Sequence, residues 1–215
     1  MPIHRIHLTT LTHNTKDSGT DSEIVLIVND RGDDVLHWTV YDSWRATDLE
    51  RGEANVYHKT QLSNDVQDIN PGRLQEGSIR VGIRGGDLWR PQHIAVIGHD
   101  RRLGRPTLFA IETNLSATLS TDEDEGNISL PVGLIDEARD SQQLDELLLI
   151  MHTRTNPGHA GTDSKLELQV STAAGVKVVY EIPDTPQKEQ EAGSGNMYFI
   201  PVSDSFSKSE LEAHA

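Results

Sequence analysis

The chain predicts an all-β fold, an antiparallel eight-stranded β-sandwich followed by a second, partial sandwich, on three observations. Segments rich in Val, Ile and Thr alternate apolar and polar residues with period two, as a half-buried strand requires. Turn-forming Asn, Asp, Gly and Pro separate them at short intervals, and no long amphipathic helical pattern intervenes. One motif also occurs twice, THNTKDSGTDSEIVLIV at 12–28 and RTNPGHAGTDSKLELQV at 154–170.

Taken in order, residues 3–12, 22–28, 35–41, 55–62, 78–84, 93–98, 107–113 and 127–132 read as the eight strands of a first sandwich. Turn signals lie between them, Asn-Asp-Arg-Gly at 29–32, Asn-Pro-Gly at 70–72, Gly-Gly-Asp at 85–87 and Asp-Glu-Gly-Asn at 124–127. Four more strands, from Leu147, at 164–170, at 176–182 and at 197–202, belong to the second copy. Its agreement with the first extends beyond the turn, because Gly52, Asn55 and Tyr57 recur as Gly193, Asn196 and Tyr198. The repeat predicts an internal duplication whose second copy stops after four strands. The expected organisation is a sandwich over 1–133, an acidic linker at 134–144 and a partial repeat over 145–215, whose polar tail has a helix-compatible order.

Composition narrows the function classes. Cysteine is absent, which removes thiolate metal sites, thiol nucleophiles and disulfides. The N-terminus lacks the apolar core of a secretory signal, and no apolar stretch approaches membrane-span length. The expectation is a soluble protein, cytoplasmic or exported without a recognisable N-terminal signal. The net charge of -15 argues against non-specific nucleic-acid binding, which needs clustered Lys and Arg. That charge is uneven: residues 119–150 hold nine Asp and Glu against one Arg, while 73–105 hold seven Arg against three acids.

In its order of motifs the chain resembles the PLAT, or lipoxygenase-homology, β-sandwich. The residues that carry the resemblance are the Gly-Thr-Asp turns at 19–21 and 161–163, the acidic segment 48–52 ending in Gly before Asn55-Val56-Tyr57, and Ile79 to Ile83 followed by a Gly-rich turn, Trp89 and 93–96. The last stretch looks like the family's paired strands, with Trp89 as a core plug at the start of the second. The resemblance implies a module that positions an attached enzyme or protein on a membrane or a protein partner.

It also implies where to look for sites. Gly19 and the Thr and Asp beside it have a plain structural reading, a turn whose side chains satisfy backbone donors. The functional reading is calcium, held by loop oxygens at Asp17, Gly19, Asp21 and Asp48, with Asp163 in the second copy. Trp44 and Arg45 on a loop are candidates for interfacial contact, against a packing role. Arg80, Arg84 and Arg90 are candidates for a cationic interaction strip, against a solvated strand face. The ten histidines lack zinc-hydrolase spacing and read as scattered surface residues. No nucleophile elbow, P-loop or dinucleotide fingerprint occurs, so catalysis has no motif behind it. The sequence therefore favours a non-catalytic module that docks on a protein partner or on another copy of itself. Calcium-dependent binding to a lipid surface, as part of a lipase- or toxin-like protein, is the second reading, and a metal-dependent hydrolase the third.

Overall fold

The computed structural model describes residues 3–40, 49, 51–52, 54–59, 69–100, 106–135, 146–152, 165–172, 175–182 and 195–202. Apart from one 3-10 turn at Pro71–Arg73, the described residues are strands and their connections. The chain divides into two compact units, Met1–Ile135 and Asp136–Ala215.

Unit 1 is an antiparallel β-sandwich. Its eight described strands are β1 (Ile3–Thr12), β2 (Glu23–Asp30), β3 (Asp33–Val40), β4 (Ala54–Lys59), β5 (Ile79–Arg84), β6 (Pro91–Asp100), β7 (Pro106–Glu112) and β8 (Ser129–Pro131). One sheet runs β7-β6-β1-β4 and the other β3-β2-β5-β8. Alternation puts Ile6 and Leu8 of β1, Ile24, Leu26 and Val28 of β2, and Ile79 and Val81 of β5 into the interface, all fully buried. Leu36, Trp38, Val40, Ile94, Val96 and Trp89 belong to the same core.

The structure differs from the sequence expectation at the Gly-rich turn. The strands on either side of the Gly-rich turn do not pair with each other: β5 pairs with β2 and β8, while β6 pairs with β1 and β7. The chain crosses between the sheets at 85–90. Gly85, at φ +146°, sits so close to the Ser22 side chain that a Cβ has no room. Beyond it Trp89 fills the core, with its Nε1–H donating to Thr12 Oγ1 at 3.0 Å.

The histidines are not all scattered on the surface either. Pairing across β4, β1 and β6 sets His58, His7 and His99 side by side on the outer face of their sheet, with ring centroids 4.4 and 4.5 Å apart. His93 is buried.

Unit 2 comprises β9 (Glu146–His152), β10 (Leu166–Thr172), β11 (Gly175–Ile182) and β12 (Gly195–Pro201). β9 pairs with β12, and β10 with β11. Its ladders follow those of unit 1 residue for residue. Ile24, Leu26 and Val28 face Val40, Trp38 and Leu36; in unit 2, Leu166, Leu168 and Val170 face Ile182, Tyr180 and Val178. Both hairpins carry a register shift immediately after the Val, at Val28 and at Val170. Likewise Leu8 faces Tyr57, and Leu149 faces Tyr198. Val178 and Ile200 are the buried centre of unit 2, with Leu147, Leu149, Leu168, Val170, Tyr180 and Tyr198 packed around them.

Candidate functional site

The Gly-Thr-Asp loop leaves β1 at Thr12 and enters β2 at Glu23, and hydrogen bonds to remote parts of the chain fix its path. Ser18 is fully buried, and its hydroxyl is directed at the carbonyls of His13 and Thr15, the latter at 2.7 Å. The Ser18 carbonyl accepts the Arg90 N–H at 3.0 Å, and the Arg90 carbonyl accepts the His13 N–H at 3.0 Å. Thr20 Oγ1 accepts the Ser22 N–H at 3.0 Å, a local turn of the kind Thr forms readily. Ser18 and Thr20 thus serve the backbone.

The segment before β4 closes over this loop. Thr20 N–H donates to the Leu49 carbonyl at 3.3 Å, and Gly52 N–H donates to the His13 carbonyl at 3.2 Å. Gly52 has φ +75°, and a Cβ there meets the Asn14 side chain at 3.2 Å. The Asn14 and Gly52 positions are therefore one contact, which ties the Asn-containing turn of unit 1 to a later Gly.

What remains on the surface is a groove of about 410 Å³ lined by Lys16, Asp17, Gly19, Thr20, Asp21, Arg51 and Asp87, with Ser18 at its base. Of the sequence candidates, Asp17, Gly19 and Asp21 meet there; Asp48, Asp163, Trp44 and Arg45 lie outside the described residues. Asp87 was missed, as were Lys16 and Arg51. Asp87 Oδ2 accepts the Asp21 N–H at 3.2 Å, Oδ1 accepts the Leu88 N–H at 2.9 Å, and the Asp87 N–H donates to Ser22 Oγ at 3.2 Å. Its signal in the sequence was the Gly-Gly-Asp turn itself, where a short carboxylate follows two residues without side chains.

The calcium reading can be set against this geometry. Hard cations take six to eight oxygens, several from carboxylates. Asp17 is largely exposed, at φ 57°, with its carboxylate 4.0 Å from Lys16 Nζ. Both Asp87 oxygens already accept backbone N–H groups. Among the described residues no three His, Asp or Glu side chains gather as a metal cage.

The arginine candidates have separate placements. Arg80 and Arg84 share the outer face of β5, but Arg80 is committed: its Nε and Nη2 donate to Ser129 Oγ at 3.0 and 2.8 Å, and Nη2 also reaches the Ser129 carbonyl at 3.1 Å. Arg84 is exposed and stands opposite Glu23 in the ladder. Arg90 is the last residue of the crossing, where its main chain holds the Gly-Thr-Asp loop.

Behind the loop, His13 Nε2–H donates to the Leu115 carbonyl at 2.6 Å, and His93 Nδ1 accepts the Asn114 N–H at 3.1 Å. Burial, and then the neighbouring His13 ring, lower the His93 pKa to about 4.

Neither a protein-family model nor a curated protein sequence matches the chain. Among solved structures it is similar to the alpha toxin from Clostridium absonum, at 18% identity and a TM-score of 0.46. That similarity covers 61% of this chain and 31% of the toxin, so the chain spans about a third of the toxin's length. Among the described residues no helix is long and apolar enough to cross a membrane.

Proposed function

We propose that the chain is a PLAT-like, non-catalytic docking module built by internal duplication, and that it engages a charged protein surface through the Gly-Thr-Asp groove of unit 1. The observation that carries this reading is the groove itself. Lys16, Asp17, Asp21, Arg51 and Asp87 put both signs of charge around one open depression. Charges of both signs favour a partner of complementary charge pattern and set its orientation. The equivalent ladders of the two units support the duplication.

The membrane reading is weaker for a chain with a net charge of -15, which anionic lipid repels. Calcium enters this proposal only if Asp48 joins Asp17 and Asp21.

Three measurements test the reading. Flotation with anionic vesicles, with and without calcium, is expected to leave the full chain unbound; calcium-dependent flotation would replace protein docking by lipid docking. Crosslinking in extract from the source cell is expected to capture a partner with the native chain and to lose it with Asp21→Asn combined with Arg51→Ala. A partner held equally by both chains sinks the groove assignment. Titration with calcium alone is expected to leave the melting temperature unchanged; a rise shows an ion site.

A further inference from the structure

The strand β9, Glu146–His152, is apolar on both faces. Leu147 and Leu149 turn toward the small core of unit 2. Leu148 and Ile150 are on the other face, opposite Phe199 and Met197 of β12. Strands of this composition are normally covered on both faces. Yet β9 ends its sheet, pairing among the described residues with β12 alone, and residues 147–151 are all partly exposed.

The corresponding strand of unit 1 is protected. β1 is flanked by β6 along almost its whole length, and its outer face carries His7 and Thr9 where β9 carries Leu148 and Ile150. Edges are usually blunted by Lys, Pro or a bulge. Within β9 there is none of these.

We propose that β9 is the seam of a twofold dimer, in which two copies of the chain pair antiparallel through this strand. The sequence is complementary to itself about Leu149. Antiparallel pairing centred there sets Leu147 of one copy opposite Met151 of the other, Leu148 opposite Ile150, and Leu149 opposite Leu149. Positions 147, 149 and 151 stay together on one face and 148 and 150 on the other, so the apolar faces of both copies remain aligned. At the ends, Glu146 of one copy meets His152 of the other, so that two carboxylates do not face each other across the seam. This inference rests on the docking reading and names a second copy of the chain as one partner.

The absence of native cysteine permits a direct test. Leu149→Cys introduces a single thiol, and only the centred register brings two of them within disulfide reach, with Cα atoms about 4.5–5.5 Å apart. Mild oxidation of the full chain is expected to give a disulfide dimer for Leu149→Cys and none for Val179→Cys, an exposed position on β11. In sedimentation the native chain is expected to dimerise, and Ile150→Lys to weaken the dimer at least about tenfold, because the twofold axis brings two lysines to one seam. Circular dichroism of that variant checks that it folds. Raised salt should strengthen the dimer, since each copy carries -15. A strictly monomeric native chain, or a dimer that Ile150→Lys leaves intact, overturns the proposal. A dimer weakened by salt points instead to an association of Arg and acidic segments. None of these results touches the groove experiment.

Discussion

Burial and the His13 ring hold His93 down to about 4, whereas an unfolded histidine titrates near 6.5. Between those values the unfolded chain binds the extra proton, so stability contributed by neutral His93 is present above pH 6.5 and lost as pH falls toward 4. The slope is about 1.4 kcal/mol per pH unit, for a total of no more than about 3 kcal/mol. Urea unfolding across this range is expected to show it, and His93→Gln, which stays neutral and still offers an acceptor to Asn114, is expected to flatten it. An unchanged slope in the variant would assign the effect to other groups. Gly85 offers a second test at this scale. Its positive φ and its approach to Ser22 leave no place for a Cβ, so Gly85→Ala is expected to cost about 2 kcal/mol or more. The melting temperature measures that cost, and a variant as stable as the native chain would show that the 85–90 crossing relaxes freely.

Among the described elements, β8 is held by one side chain in addition to its backbone pairing with β5. It is three residues long, and Arg80 clamps it by donating to Ser129 three times. Arg80→Ala is expected to cost about 1–2 kcal/mol and to speed amide exchange at Leu130 and Val132, while exchange in β2 stays slow. Equal acceleration in both strands would mean that the clamp holds the whole sheet. The strands themselves were legible in the sequence because period-two alternation is a local property, and Ile24, Leu26 and Val28 display it without help from neighbours. What alternation cannot convey is which strand lies beside which. The sheet change at 85–90 depends on Ser22 and Thr12, far back in the chain, so the β5–β6 pairing was misread. The row of His58, His7 and His99 escaped notice for the same reason, since each imidazole obeys its own strand and only the register brings them together. The groove was half legible: Asp17 and Asp21 are local to the loop, but Asp87 arrives from 66 residues beyond Asp21.

At the scale of the whole molecule, the two units are built on the same ladders but very different cores. Unit 1 buries Ile6, Leu8, Leu26, Ile79, Trp89 and Ile94 completely, while unit 2 centres on Val178 and Ile200. Among the described residues unit 2 has the smaller buried apolar cluster, and a smaller apolar core makes the less stable unit. Calorimetry of the full chain is expected to resolve two transitions, the smaller one at lower temperature; a single two-state transition would mean that the units unfold as one. The same asymmetry has an optical consequence. All three tryptophans, Trp38, Trp44 and Trp89, belong to unit 1, and Trp38 and Trp89 are in its core. Indole emission therefore reports the fate of the first sandwich alone, and the loss or recovery of unit 2 passes dark beneath it, visible only through the weaker glow of Tyr180 and Tyr198.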